Sequence, residues 1–410
     1  MGLGTTLDLT LTGMAYGGDA FGKDEQGRVV FVPFALPGER VRVTLTEHRR
    51  GWARGRLTSI LEPASQRVDP ACKHYAQCGG CHYQHMTLEY QTSLKADIVR
   101  DQLTRLGHFT APPVLATIPS PTPNQTRNHI QFGLTASGRL GFRAAGSHRI
   151  IPVDECHLPE PSISAVWPRL RLAHIPRLRR VSVRTDTRQC TQVSLEAEGP
   201  PPRDLKLDGP FSAMWHAGGV ATCLQGADKL EFDVMGYPFP VSSLSFFQVH
   251  NGLVDSLICH ALQAMAVVPG EVLFDLYAGV GLFSAFLAKA GARVVAVELS
   301  PHACADYRAH LEGAGSVVLH QGAVEDVLPS IPDRPQGVLV DPPRSGLAPS
   351  VVQDLIARRP SRIVYVSCDP STLARDGQRL VAGGYRLEQA LPIDMFPQTF
   401  HIETLSLWRR

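Results

Sequence analysis

Two hydrophobic periods divide the chain. Between residues 5 and 61 apolar side chains recur at every second position in the stretches TLDLTLTG, RVVFVPFA, ERVRVTLTE and ARGRLTSIL, which are separated by GGDAFGKDEQG, LPG and HRRGW. Short alternating strands with glycine- and proline-bearing turns predict a small antiparallel β-barrel. From about residue 236 the texture changes to helix-like segments, NGLVDSLICHALQAMA and LFSAFLAKAG, set among continuous apolar runs such as EVLFDLYAG, RVVAVE, VLVDPP and IVYVSC. Unbroken apolar strands bounded by helices belong to an open α/β sheet buried on both faces. Between these regions the chain is mixed, Pro-rich and basic, with hairpin-like turns around Ala136-Ser137-Gly138 and Gly146. The expected organisation is a barrel over residues 1–63, a mixed α+β central domain over 64–235 and a Rossmann-like α/β domain over 236–410.

Length and composition bound the function. A chain of 410 residues with 44% hydrophobic content can bury two or three cores. The N-terminal MGLGTTLDLTLTG carries no basic region followed by an apolar stretch, and no segment has bilayer-spanning length, so a soluble, cytoplasmic, monomeric protein without a membrane partner is expected. Nine unevenly spread cysteines fit a reducing compartment, where clustered ones read as metal or cluster ligands. The net charge of +2 conceals two basic stretches, EHRRGWARGR (47–56) and the six-arginine segment 161–184. Each is a solvated face or a surface that tracks nucleic-acid phosphates.

The glycine-rich loop DLYAGVGLFS, starting at Asp275, follows the first strand of the α/β region. In such sheets the ligand lies beyond the carboxyl ends of the strands. Gly279 and Gly281 let backbone approach a ligand, and Glu298 ends the next strand, where an acid accepts hydrogen bonds from ribose hydroxyls. These features suit a nicotinamide dinucleotide or S-adenosylmethionine. Ser284 stands where a dinucleotide site wants its third glycine, and Asp275 would repel a pyrophosphate. An acidic loop suits the sulfonium of S-adenosylmethionine better.

Two further strand ends carry DPPRSG (Asp341 to Gly346) and SCDPSTLARD, which contains Cys368. Arg344 follows the prolines where amino-directed methyltransferases of this fold generally place an aromatic residue. Carbon 5 of a pyrimidine is a poor nucleophile until another nucleophile adds at carbon 6. A soft, partly ionised thiolate suits that addition. A general base must then remove the carbon-5 proton, and DMFPQTFHIETLSLW (394–408) offers His401 and Glu403.

Together SFFQVH, DLYAGVG, DPPRSG, VYVSCDPSTLARD and DMFPQTFHIE resemble the RNA 5-methyluridine methyltransferases, the TrmA-like enzymes, and residues 36–68 resemble the RNA-binding TRAM barrel. The resemblance implies Cys368 as nucleophile, Glu403 as base, and Gln248, Tyr277, Glu298 and Asp341 as contacts of S-adenosylmethionine. The sequence departs from the pattern at Ala278, where the family commonly has Cys, and at Asp369, where it has Asn. An acid beside Cys368 raises the thiol pKa.

The spacing Cys72-x5-Cys78-x2-Cys81, with Cys156 as a fourth thiolate, suits a 4Fe-4S cluster or structural zinc. Three close ligands and one distant one resemble cluster ligation more than a zinc finger, and the family form with this spacing carries iron–sulfur. The expected activity is methylation of a uridine flipped out of RNA, with ribosomal RNA (23S) as substrate and transfer RNA the alternative. A non-catalytic iron–sulfur RNA-binding protein is the rival, although it leaves Cys368 and Glu403 without purpose.

Overall fold

The computed structural model describes every residue except 1, 2, 173, 174, 176, 204, 206, 312 and 314, so Ala173, His174 and Pro176 of the second basic stretch lie outside the described residues. Strands β1 (Thr6–Met14), β2 (Asp19–Lys23), β3 (Val29–Pro33), β4 (Arg40–His48) and β5 (Trp52–Glu62) close into a barrel in the order β1-β2-β3-β5-β4. Period two drives the closure: Leu9, Leu11, Val30, Val32, Val41, Val43 and Leu45 point inward and are buried, while the intervening polar residues face out. Strand β2 falls in the stretch expected to be a turn. Its inward positions are Ala20 and Gly22, too small to register as a hydrophobic alternation, and pairing with β1 and β3 supplies the order that propensity does not.

After the cysteine-bearing loop comes helix α1 (Leu88–Arg105), capped by Thr87, whose Oγ1 accepts from the Tyr90 amide at 3.3 Å. The central region contains β6 (His129–Leu134), β7 (Leu140–Arg143), β8 (Ile150–Pro152), α2 (Pro161–Val166), β9 (Leu178–Thr185), β10 (Thr191–Ala197), β11 (Ser212–Ala217) and β12 (Val220–Gln225). These strands form a seven-stranded sheet in the order β12-β11-β10-β9-β6-β7-β8, with Phe132, Trp167, Val181, Val193 and Trp215 in its core. In the basic stretch on β9, Arg179 and Arg180 pair with Glu198 and Glu196, and buried Arg184 donates to the Ser245 carbonyl at 2.9 Å.

A hairpin, β13 (Lys229–Val234) and β14 (Tyr237–Ser242), leads into α3 (Asn251–Met265), β15 (Val272–Leu276), α4 (Leu282–Lys289), β16 (Arg293–Glu298), α5 (Pro301–Leu311), β17 (Val317–Gln321), α6 (Val324–Val327), β18 (Gly337–Val340), α7 (Pro349–Arg358), β19 (Arg362–Ser367), α8 (Pro370–Ala382), β20 (Arg386–Ile393) and β21 (Glu403–Arg409). The second seven-stranded sheet runs β17-β16-β15-β18-β19-β21-β20, parallel except for β21, which is antiparallel to both neighbours. Its strands are apolar on both faces. Leu339, Val364 and Val366 pack towards α3 and α4, and Val338, Val340, Ile363 and Tyr365 pack towards α7 and α8. Helix α1 presents positions 91, 94, 95, 98, 99 and 102 as one buried face, which packs on α8 and β20. Through it the barrel core runs into the second sheet, since Ile98 and Val99 share one cluster with Val43, Ala374, Ala390 and Ile402. Among the described residues no helix is long and apolar enough to cross a membrane.

Candidate active site and cysteine cavity

Strands β15, β16, β18 and β19 end on the same edge of the sheet, and their loops build one wall. The loop after β15 is held open by left-handed backbone at Tyr277, Gly279 and Gly281. A Cβ on Gly281 would lie 2.6 Å from the Tyr307 ring, so close packing of the loop on α5 requires glycine there. Glu298 spans the loop: one oxygen accepts from the Gly279 amide at 2.8 Å and the other from the Ser300 amide at 2.7 Å. Asp275 is wholly buried. Its Oδ2 accepts from Ser284 at 2.6 Å, and its Oδ1 has no partner among the described residues. Burial, opposed by the Ser284 bonds, pushes its carboxyl up to about 7. The Gln248 side chain donates to Asp341 at 3.4 Å, and the Gln248 backbone carbonyl accepts from the Asn128 side-chain amide at 2.8 Å. An unpartnered buried oxygen, two apposed acids and glycine-lined backbone form a cradle for a cationic, hydroxyl-bearing ligand.

Cys368 and Glu403 come together by register. Ser367, the last residue of β19, is paired with Thr404 of β21, so the next residue on each chain, Cys368 and Glu403, continues the ladder at its open end. Cys368 is half-buried and Glu403 is 4% exposed. Burial raises the thiol to about 12, assisted by the charges of Glu403, Asp341 and Asp369 and opposed by Arg344. Burial also holds Glu403 well above the usual carboxylate range, with Asp341 adding to the effect. Asp369 caps α8: its Oδ1 accepts from the Ser371 and Thr372 amides at 2.8 and 3.3 Å. Asn at this position would accept the same bonds without the charge.

The raised thiol sets a pH dependence. In the free enzyme, alkylation of Cys368 by iodoacetamide is expected to rise about tenfold per pH unit from about pH 7 to 9, because only the thiolate reacts and its fraction climbs until the pKa is reached. A plateau below about pH 8 would contradict this. Arg344→Ala removes the positive charge that opposes the rise of the thiol and is expected to slow the reaction further at every pH.

The loop between β20 and β21 and the barrel supply aromatic walls. Phe396 and Phe400 flank His401 at centroid distances of 5.7 and 4.3 Å, and Tyr16, from the β1–β2 turn, meets Phe400 edge-on at 5.8 Å. The guanidinium of Arg127 lies 4.7 Å from the centre of the Phe396 ring. Burial, with Arg344 and Arg127 nearby, lowers His401 to about 3, which leaves a neutral ring with little affinity for a proton. Sequence reasoning missed Tyr16 and Arg127. No local signal marks either one, since each reaches the site only through packing between distant segments.

Cys72, Cys78, Cys81 and Cys156 line a single cavity of about 210 Å³, together with Arg127 and His129. The loop bearing the first three is tied to the central sheet by the Gly79 amide on the Arg143 carbonyl at 2.9 Å and by His74 on Asp154 at 3.1 Å. Burial, with the neighbouring thiols behind it, raises Cys81 to about 12; burial likewise raises Cys156 to about 11. Among the described residues no three His, Cys, Asp or Glu side chains converge as they would on one metal ion.

Comparison with known proteins gives this arrangement a family. Residues 3–58 match the TRAM domain and residues 334–410 match the family described as tRNA (Uracil-5-)-methyltransferase. An uncharacterised RNA methyltransferase of Thermosynechococcus vestitus is 31% identical, with 98% of each chain covered. A second, from Synechocystis, is 30% identical over 98% of this chain and 95% of its own. Among solved structures, the Pyrococcus abyssi tRNA (uracil-54, C5)-methyltransferase in complex with S-adenosyl-L-homocysteine superposes with a TM-score of 0.77 at 24% identity, covering 98% of this chain and all of that one. The barrel, the S-adenosylmethionine-type sheet and the end-to-end similarity agree, and the chain belongs to the RNA (uracil-5-)-methyltransferase family.

Proposed function

We propose that the protein methylates carbon 5 of a uridine in 23S ribosomal RNA through covalent addition of Cys368. The observation that carries the reading is the meeting of Cys368, Glu403 and Asp341 at one end of the sheet. S-adenosylmethionine, when bound, supplies an electrophilic methyl group. Glu298, Gly279, Gly281, Tyr277, Gln248 and Asp341 would hold it, and the unpartnered oxygen of Asp275 fits a cation nearby. The target base is flipped from its stack against the aromatic wall. The Cys368 thiol gives up its proton to solvent and the thiolate Sγ adds to carbon 6; carbon 5 becomes the nucleophilic end of an enolate that takes the methyl group, with S-adenosylhomocysteine as the leaving group. Glu403 then removes the carbon-5 proton, the C5–C6 double bond re-forms and the thiolate leaves. Glu403 is preferred to His401 as base because burial makes a carboxylate more basic and an imidazole less so.

The ribosomal assignment rests on the resemblance of barrel plus cysteine cluster to bacterial 23S enzymes, while the Pyrococcus neighbour of similar architecture is named for transfer RNA. Mapping 5-methyluridine in both RNAs from cells lacking the protein decides: loss at a 23S position supports the assignment, and loss confined to transfer RNA replaces it.

Cys72, Cys78, Cys81 and Cys156 would hold a 4Fe-4S cluster. One zinc ion needs every sulfur about 2.3 Å from a single point, whereas a cluster spreads its thiolates around a larger body. Three closely spaced thiols and a fourth from the central domain that line one cavity are what supports this reading. Protein purified without oxygen is expected to contain about four irons and four sulfides per chain, lost in Cys81→Ser. About one zinc and no sulfide would contradict this.

A further inference from the structure

We infer that the segment following the third cysteine is a strut that positions the catalytic-base loop, with Gln91 and Lys95 as positioning residues for the elimination step. The inference rests on Glu403 being the base. Ile393 and Glu403 are paired across β20 and β21, so the loop 394–402 joins them and its path fixes the start of β21. Three of its residues are gripped from α1 and the turn before it. The His82 and Tyr83 amides donate to the Gln398 carbonyl at 2.8 and 3.0 Å. The Gln91 side chain bonds Gln398 twice: Oε1 accepts from its amide at 3.0 Å, and Nε2 donates to its Oε1 at 3.1 Å. Nε2, with two hydrogens for three acceptors, also lies 3.1 and 3.2 Å from the Tyr83 and Met86 carbonyls, which ties Gln91 to its own turn. Lys95 Nζ donates to Asp394 Oδ1 at 2.5 Å and to the Phe396 carbonyl at 2.9 Å.

Two features argue that this grip sets position as well as adding stability. Gln398 holds a φ of +65°, a left-handed conformation that a non-glycine residue keeps only where its surroundings over-determine it. The Lys95–Asp394 pair is wholly buried, both side chains being 0% exposed. Removing two charges from water offsets most of their attraction, so an apolar pair of the same volume would serve stability as well. The ion pair and the amide pair instead fix where Asp394, Phe396 and Gln398 lie in the loop that leads into the base.

The test separates methyl transfer from release. Gln91→Leu and the double variant Lys95→Met/Asp394→Leu, which swaps the ion pair for an apolar one and leaves no lone buried charge, are compared with Glu403→Gln. Each is mixed with uridine-containing substrate RNA and labelled S-adenosylmethionine. The single-turnover rate of label transfer, the steady-state rate and the fraction of enzyme held as a denaturant-stable RNA adduct are measured. The expected result is label transfer within about threefold of wild type, turnover lower by about tenfold to a hundredfold, and adduct accumulating as in Glu403→Gln, since a small misplacement of the base is enough. Transfer and turnover falling together without adduct, or neither changing, overturns the strut. Failure of Glu403→Gln itself to accumulate adduct overturns the base assignment first.

Discussion

Cys368→Ala is expected to abolish methylation, lowering single-turnover methyl transfer to substrate RNA at least about 10⁴-fold. Carbon 5 of uracil gains nucleophilic character only once sulfur has added at carbon 6, so no residual pathway through the same pocket replaces the thiol. RNA affinity is expected to stay within about threefold, because phosphate contacts supply most of it and Cys368 sits half-buried at the strand end. Serine at this position should be almost as inactive, since an alkoxide is both harder and far scarcer than a thiolate near neutral pH. A variant retaining more than about a hundredth of the wild-type rate would be incompatible with covalent addition.

Glu403→Gln is expected to stop the cycle one step later. Methyl transfer proceeds once, turnover falls about 10²- to 10⁴-fold, and the methylated RNA stays attached to Cys368. Glutamine matches the size of the buried acid, so packing is kept. Stability gives an independent readout. The folded-state pKa of Glu403 lies above its unfolded value, so this group takes stability away as pH rises above the ordinary carboxylate range. The glutamine variant lacks that loss, and its Tm is expected to equal or exceed that of wild type at pH 8. If instead no adduct forms and the first methyl transfer slows as much as turnover, the proton is removed by another group.

The α/β sheet was legible because strands buried on both faces, such as β18 and β19, are unbroken apolar runs, and their ends carry Asp341 and Cys368 in the next positions. The barrel was legible from its period of two, apart from β2, whose inward alanine and glycine leave no hydrophobic trace. The central sheet was harder to read. Its strand β10 buries Gln192 and Ser194 beside Val193 and Leu195, so buried positions do not alternate by polarity, and the order comes from pairing with β9 and β11. Helix α1 hides its role in the same way. Gln91, Lys95 and Gln102 look like solvent-facing residues, yet they lie on its buried face, where Gln91 and Lys95 have partners some three hundred residues ahead. Motifs singled out Cys368, Glu403 and the cysteine quartet, and the fold brings the first two to one ladder end and the other four around one cavity. Tyr16, Arg127 and the strut residues depend on contacts between distant segments, for which one sequence carries no signal.

The most direct test of covalent addition is intact mass spectrometry of the protein after incubation with S-adenosylmethionine and substrate RNA carrying 5-fluorouridine. Fluorine at carbon 5 cannot leave as a proton does, so the elimination step is blocked. The expected species has the combined mass of protein and RNA plus one methyl group less the thiol proton, with the RNA attached at Cys368 after digestion. Free protein alone, or attachment at any other residue, would contradict covalent addition by Cys368.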